Sequence, residues 1–398
     1  MSLLALTPEQ VLLQKTAADF AAARLAPLVA RARSEGTPKR PWDWVAPAFA
    51  EGAALGLTKL FVPAELGGMG GNCVDAVVML EELGAADVGM AGDYFALTST
   101  MPLLLQRAGA ADQLAQFATA PAMVLAGAQS EPNVAGSELM MAGPDASAGP
   151  KLNARRHGPG WRLNGTKSAF ITNAGVADNY LIIARTDPAR PLIEGLSLFW
   201  VPASTPGLSV GEKTGLIGWP LTTHAELRFD DCDLPETALL GREGGAAMLF
   251  AQVPEMPVCL AACFVGLARA AHDYARRYAL ERRSMGVAIA RHQAVALKLA
   301  EMAMNVERAR LMVREAASAC ATNPMHAAML AAPMAKVQAV DAAIANAQLC
   351  VEVLGGYGVA SEYEAGRFLN DAWVGWACDF TRDVLMLGIA AAGLGDGP

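Results

Sequence analysis

Charge is scarce in this sequence. Only 18% of its 398 residues are Asp, Glu, Lys or Arg, and the balance is acidic, with a net charge of -8. That balance excludes a broad electrostatic footprint for nucleic acid or an anionic membrane. Basic pairs occur at Arg276 and Arg277 and at Arg282 and Arg283, but they sit in helical sequence among acids and read as a solvated helix face. Long apolar runs are missing too. Hydrophobic residues make up 53% of the chain, yet much of the excess is alanine. No uninterrupted run reaches the roughly 18–20 residues of a membrane span; residues 256–266 come nearest. The first ten residues lack a basic start followed by an apolar stretch, so no secretory leader is expected. The seven cysteines (Cys73, Cys232, Cys259, Cys263, Cys320, Cys350 and Cys378) are scattered and odd in number. They predict reduced thiols in a cytoplasmic protein rather than a disulfide framework. His157, His224, His272, His292 and His326 fall far apart, with no Cys or carboxylate at ligand spacing, so no metal site is expected. A Gly-x-Ser-x-Gly elbow is absent, which removes the commonest serine-hydrolase signal.

What is present falls into three parts. Residues from about 7 to 120 read as helices, opened by Thr7-Pro8-Glu9 with Thr7 as N-cap and Pro8 at the first helical position. The run Gly67-Gly68-Met69-Gly70-Gly71 has neither P-loop nor dinucleotide spacing and reads as a turn. After about residue 122 short β-type runs appear at 161–163, 180–184, 196–201 and 225–229, separated by turn signals such as Gly158-Pro159-Gly160 and Pro206-Gly207. No long helices alternate with them, which argues against a parallel nucleotide-binding sheet and for a small antiparallel domain. From about 240 the helical period returns. Val295, Leu299, Met302, Val306, Ala309 and Val313 form one face, and Lys298, Glu301, Asn305 and Arg308 an adjoining polar one, as in a helix bundle. The expected fold is multi-domain α+β: a helical domain over 1–122, a barrel-like antiparallel β domain over 123–236 and a C-terminal helical bundle over 237–398.

Five segments carry a resemblance, in order and over nearly the whole chain. They are Ala128-Gln129-Ser130-Glu131-Pro132-Asn133 with Gly136-Ser137-Glu138; Leu163-Asn164-Gly165-Thr166-Lys167 leading to Phe170-Ile171-Thr172-Asn173; and Pro206-Gly207-Leu208-Ser209-Val210 with Ile217-Gly218-Trp219. The other two are Tyr278-Ala279-Leu280-Glu281-Arg282 through Gly286 to His292-Gln293, and Glu352-x-x-Gly355-Gly356-x-Gly358 with Glu362, Arg367 and Asp371 beyond. This pattern resembles the acyl-CoA dehydrogenase family, whose members have a helical domain, a middle β domain and a C-terminal four-helix bundle. They are usually homotetramers built from dimers, with FAD held partly across a subunit boundary.

The resemblance implies specific roles. Ser130 and Thr172 supply hydroxyls to the flavin, and Phe170 gives its ring an aromatic face. Arg282 reaches the cofactor of a neighbouring subunit, with His292 and Gln293 as further contacts; Gly355 and Gly356 let main-chain amides approach the pyrophosphate. Ser137 resembles the serine on the CoA ester. Oxidation next to a thioester needs a base for the α-proton while hydride leaves the β-carbon, and Asp379 stands where the family commonly has glutamate, with Thr381 keeping a flavin-side hydroxyl. Some branches carry the base near residues 254–257, where Glu255 is the only carboxylate. Other positions depart from the pattern: Met285 replaces a phenylalanine near the flavin, Glu352 replaces a glutamine near phosphate, Val134 is inserted and Phe380 replaces a glycine beside the base.

Three readings follow. The first is an acyl-CoA dehydrogenase that makes a 2-enoyl-CoA, part of fatty acid metabolism, and hands electrons to an electron-transfer flavoprotein. The second is a flavin oxidase or monooxygenase on the same fold, since nitroalkane oxidase also resembles this chain in its aspartate base. The third is one subunit of a heteromeric acyl-CoA dehydrogenase, motivated by the irregular cofactor positions.

Overall fold

The computed structural model describes residues 5–134, 149–379 and 381–394. Ser137 and Phe380 lie outside the described residues. The helix Pro8–Phe20 starts as the sequence dictates: Thr7 Oγ1 accepts from Gln10 N, and the Gln10 side chain accepts from Thr7 N. This reciprocal box satisfies two otherwise orphaned donors. The glycine run at 67–71 is a turn leading to Asn72, which caps the helix Cys73–Ala86.

That helix crosses the long helix Glu255–Glu281 at backbone distance. A Cβ on Gly84 would lie 2.3 Å from Cys263 O, and one on Gly266 2.3 Å from Glu81 O. Only glycine permits the approach. The crossing locks the N-terminal helices to the C-terminal bundle and fixes the loop after Ala86 against Cys263.

The middle of the chain is a sheet of β1 (Leu125–Ala128), β2 (Asn153–His157), β3 (Gly160–Thr172), β4 (Asn179–Arg185), β5 (Leu196–Pro202), β6 (Leu208–Lys213), β7 (His224–Pro235) and β8 (Leu239–Leu240). All four runs expected from sequence fall within these strands. The order is β6-β7-β3-β2-β4-β5-β8, with β1 beside β4. Most neighbours are antiparallel, but β1 runs parallel to β4 from Leu125↔Asn179 to Ala128↔Ile182, and β2 meets β4 in the same sense. The sheet is therefore mixed rather than purely antiparallel. The long connection between β1 and β4 provides the crossover that parallel pairing needs.

Helices Glu255–Glu281, Gln293–Thr322, Ala332–Leu354, Ala365–Ala377 and Arg382–Leu394 make up the bundle. Two helical stretches, Glu255–Glu281 and Pro324–Val359, are long and apolar enough to cross a membrane by length and composition, although neither is an uninterrupted apolar run. Their most apolar windows are 72% and 56% buried inside the protein, as bundle-core helices require. A second departure concerns the polar face expected around Lys298 and Arg308. Asn305 is buried and donates to Asn346 Oδ1 at 3.0 Å, while Asn346 Nδ2 donates to Ala268 O and Met302 O. This amide relay joins three helices and satisfies polar groups that would otherwise be stranded in the core.

Candidate active site

The segment bearing Ser130 is pinned from below. Buried Glu131 accepts from Lys167 Nζ at 3.0 Å and from Leu152 N at 3.0 Å, and Lys167 Nζ also donates to Gln129 O. An enclosed ion pair with its remaining valences satisfied holds its geometry tightly. Ser130 is thereby brought against β3, where its Oγ lies 2.7 Å from Ser168 Oγ and its carbonyl accepts from Ser168 N. The register of β3 on β7 shifts between Lys167 and Ile171. This irregularity turns Phe170 outward, with 62% of its surface open. Thr172 is half-buried at the end of the strand and pairs across to His224 on β7. Asn173, the next residue, donates to Asp93 O at 2.7 Å and Leu125 O at 3.1 Å. The end of β3 is thus tied to the turn that carries Asp93.

Asp93 and Tyr94 sit on a wide π-type turn, Ala91–Ala96. Such turns are frequent at functional sites because they re-aim side chains. Tyr94 is fully buried and donates to Leu221 O at 3.1 Å. Asp93 Oδ2 lies 3.3 Å from His224 Nε2.

Asp379 completes this end. It lies between helices Ala365–Ala377 and Arg382–Leu394 with φ 25°, a left-handed conformation that aspartate tolerates better than most residues. Solvent reaches the residue, while surrounding protein desolvates the carboxylate enough to push its pKa up against the pull of Lys336. Lys336 is wholly buried and donates to Gly375 O and Cys378 O, each at 2.9 Å. Its ammonium satisfies carbonyls at the C-terminal end of the helix before Asp379, where positive charge is favoured. Lys336 and Asp93 carry no signal in the sequence, and His224 is legible there only as one of five scattered histidines.

Glu255 belongs to a different neighbourhood. It is buried at the first position of its helix, its pKa is raised by burial, and Oε2 has no hydrogen-bond partner. Its charge is felt by Cys73, Cys259 and Cys320, with Arg107 opposing. Asp93 and Asp379 instead act on one another and both act on Cys378, with Lys336 beside Asp379. The structure separates the two acids, and only Asp379 joins Asp93 and the end of β3.

The remaining expected contacts gather at the far end of the bundle. Arg282 is exposed, lies over the Tyr357 ring at 5.5 Å and makes no ion pair among the described residues. Met285 and Gly286, at φ 52° and 82°, form the tip of a small hairpin, and both positive angles suit a two-residue turn. That turn leaves Met285 91% exposed. His292 Nε2 lies 3.3 Å from Ser284 O, and Gln293 is exposed. Glu352, the acid that would trouble a phosphate, is paired with Lys298. Gly355, with φ 60°, and Gly356 face open space: a Cβ on either meets nothing within 4 Å. From Cys263, beside Asp93, to Arg282 runs about 28 Å of helix at 1.5 Å per residue.

Arg367 and Asp371 act as scaffold. Asp371 accepts from Arg367 Nη1 at 3.0 Å and from Trp219 N at 2.8 Å, and its carbonyl accepts from the Trp219 indole. The β segment and the last signature thus hold one another. Thr381 is half-buried and its carbonyl starts the final helix by accepting from Leu385 N.

The donor set suits FAD. Hydroxyls and an open aromatic ring lie at the end of β3; an unpaired guanidinium and unobstructed glycine backbone lie at the bundle end, as a ring and a charged pyrophosphate require.

Comparison with known proteins gives a consistent result. Residues 7–122 match the acyl-CoA dehydrogenase N-terminal domain, 126–232 its middle domain and 244–394 its C-terminal domain. The chain is 33% identical to an acyl-CoA dehydrogenase of Bacillus subtilis (strain 168), covering 98% of this chain and 99% of that one. It resembles butyryl-CoA dehydrogenase from Megasphaera elsdenii with a TM-score of 0.87 and 28% identity, covering 98% and 99% of the two chains. A chain in the structure of the electron transferring flavoprotein of Acidaminococcus fermentans also matches with a TM-score of 0.87 and 30% identity, covering 99% and 100%.

Proposed function

Because this chain belongs to the acyl-CoA dehydrogenase family, we propose that it dehydrogenates a short-chain acyl-CoA to the 2-enoyl-CoA with Asp379 as base. Dehydrogenation on FAD is the family's chemistry. The short acyl chain is supported by the likeness to butyryl-CoA dehydrogenase. An electron-transfer flavoprotein as acceptor is supported by the Acidaminococcus structure.

The observation that carries the reading is that Asp379 acts on Asp93, whose turn is tied by Asn173 to the Thr172 end of β3. Asp379 takes the α-proton, and desolvation suits it by raising its basicity. Lys336 limits that rise and holds the backbone before Asp379 in place. When bound, FAD supplies the hydride acceptor. Ser130, Phe170, Thr172 and Thr381 would hold its ring end, and Arg282, His292, Gln293, Gly355 and Gly356 its phosphate end, with Met285 alongside. Ser137 would meet the thioester. The roughly 28 Å of helix between Asp93's neighbour and Arg282 supports a site shared between two copies, each giving its bundle end to the other. Apolar side chains left open on the bundle, among them Leu297, Val359 and Met325, support burial in a homotetramer. The Lys298–Glu352 pair removes one reason for treating the chain as an incomplete subunit.

Anaerobic addition of butyryl-CoA to the FAD-loaded protein tests the reading. It is expected to bleach the flavin. Absence of bleaching by butyryl-CoA and by a panel of straight, branched and ring-bearing acyl-CoAs would overturn it.

A further inference from the structure

Asp93 and His224 belong to none of the motifs above, yet they meet in the interior. Both are buried, Asp93 Oδ2 lies 3.3 Å from His224 Nε2, and Oδ2 has no hydrogen-bond partner. The other side of the imidazole fixes its tautomer. Thr222 Oγ1 gives its one proton to Trp219 O at 2.9 Å. Toward His224 Nδ1, 3.3 Å away, it can therefore only accept. Nδ1 carries hydrogen, and in the neutral ring Nε2 has no proton to give Asp93. A buried carboxylate oxygen left without a donor favours the protonated acid. An imidazolium–carboxylate pair would instead enclose two charges with no further donor for Oδ2, an arrangement that desolvation opposes.

The surroundings agree. Burial pushes the pKa of Asp93 well up, and Asp379 and Asp87 push the same way. Burial and Lys213 push His224 down to about 4. The other titratable neighbours, Tyr94, Cys263 and Cys378, all have their pKa values raised and face Asp93 uncharged. Lys336 faces Asp379.

We propose that Asp93 and His224 hold one proton between them as a net-neutral positioning pair, which leaves Asp379 the anionic carboxylate at the reacting end. The role rests on Asp379 being the base. Protonated Asp93 keeps the π-type turn against His224 of β7 without setting a second negative charge beside Asp379. Infrared difference spectra of FAD-loaded wild type and Asp93→Asn near neutral pH test the pairing. Loss of a carboxylic acid C=O band in the variant supports it; loss of carboxylate stretches overturns it. His224→Gln, which keeps an acceptor of different strength, is a second arm should Asp93→Asn fail to fold. The acid band should persist at a shifted position, and an unshifted band overturns the pairing. The pH profile of kcat/KM for butyryl-CoA tests the consequence for Asp379. Asn and a protonated Asp carry the same charge, so the acid limb stays in place in Asp93→Asn. A move toward acid by about one unit would mark a lost anion and overturn the proposal. If wild type does not oxidise butyryl-CoA, that failure belongs to the proposed function, and the infrared arms still decide the pairing.

Discussion

The two ends of the proposed cofactor site differ in how complete they are within one chain. At the reacting end, Lys336, Asp93, His224 and Tyr94 are buried, and each has a hydrogen-bonding or charged neighbour from a different part of the same chain. At the bundle end, Arg282, Gln293, Gly355 and Gly356 are exposed, and Met285 stands almost fully in solvent. The first end is preorganised by the fold. The second is open to solvent within one chain. Chemistry needs a carboxylate fixed in position and basicity, whereas holding a charged tail needs only donors that can close on it.

The largest test of this contrast is replacement of the base. Asp379→Asn is expected to lower kcat/KM about 10³-fold, the range of general base removal, with FAD content preserved, whereas Glu255→Gln leaves kcat/KM unchanged. Steady-state assays with butyryl-CoA check both. At the other end, Arg282→Ala should weaken FAD by about 1.5–3 kcal/mol, the value of a hydrogen bond to a charged group, or roughly tenfold to a hundredfold. Fluorescence titration of the apoprotein measures it. Lys336→Met sharpens the role of the buried cation. Lys336 holds the Asp379 pKa down, so its loss raises that pKa and moves the acid limb of the pH profile to higher pH, by about one unit. The two orphaned carbonyls cost about 2 kcal/mol of stability in chemical denaturation. The smallest effect on the fold is expected at the open bundle surface. Val359→Lys should alter monomer stability by no more than about 0.5 kcal/mol, yet shift the assembly to smaller species in analytical ultracentrifugation.

Much of the frame was legible in the sequence. Thr7 announced its helix, and the four β runs and the heptad-like stripe around Met302 and Val306 fell where their periods put them. The motif segments pointed to Ser130, which lies against β3, to Thr172 at the end of that strand, and to Arg282 and Gly355 at the bundle end. The parallel β1 pairing was hidden because strand direction depends on the connection, not on the strand. Asn305 read as solvated because its amide partner Asn346 lies on another helix. Asp93 and His224 were invisible as a pair for the same reason: they stand 131 positions apart, and the crossing at Gly84 and Gly266, the clamp at Asn173 and the Tyr94–Leu221 hydrogen bond bring them together. Lys336, in a helix of ordinary composition, gave no sign that it would be buried.

The most direct test of the account is anaerobic mixing of butyryl-CoA with FAD-loaded wild type and Asp379→Asn, followed at the flavin absorbance. The account expects rapid bleaching of wild type and none in the variant over the same interval, with both proteins retaining FAD and binding the thioester. Bleaching of Asp379→Asn at the wild-type rate would contradict it.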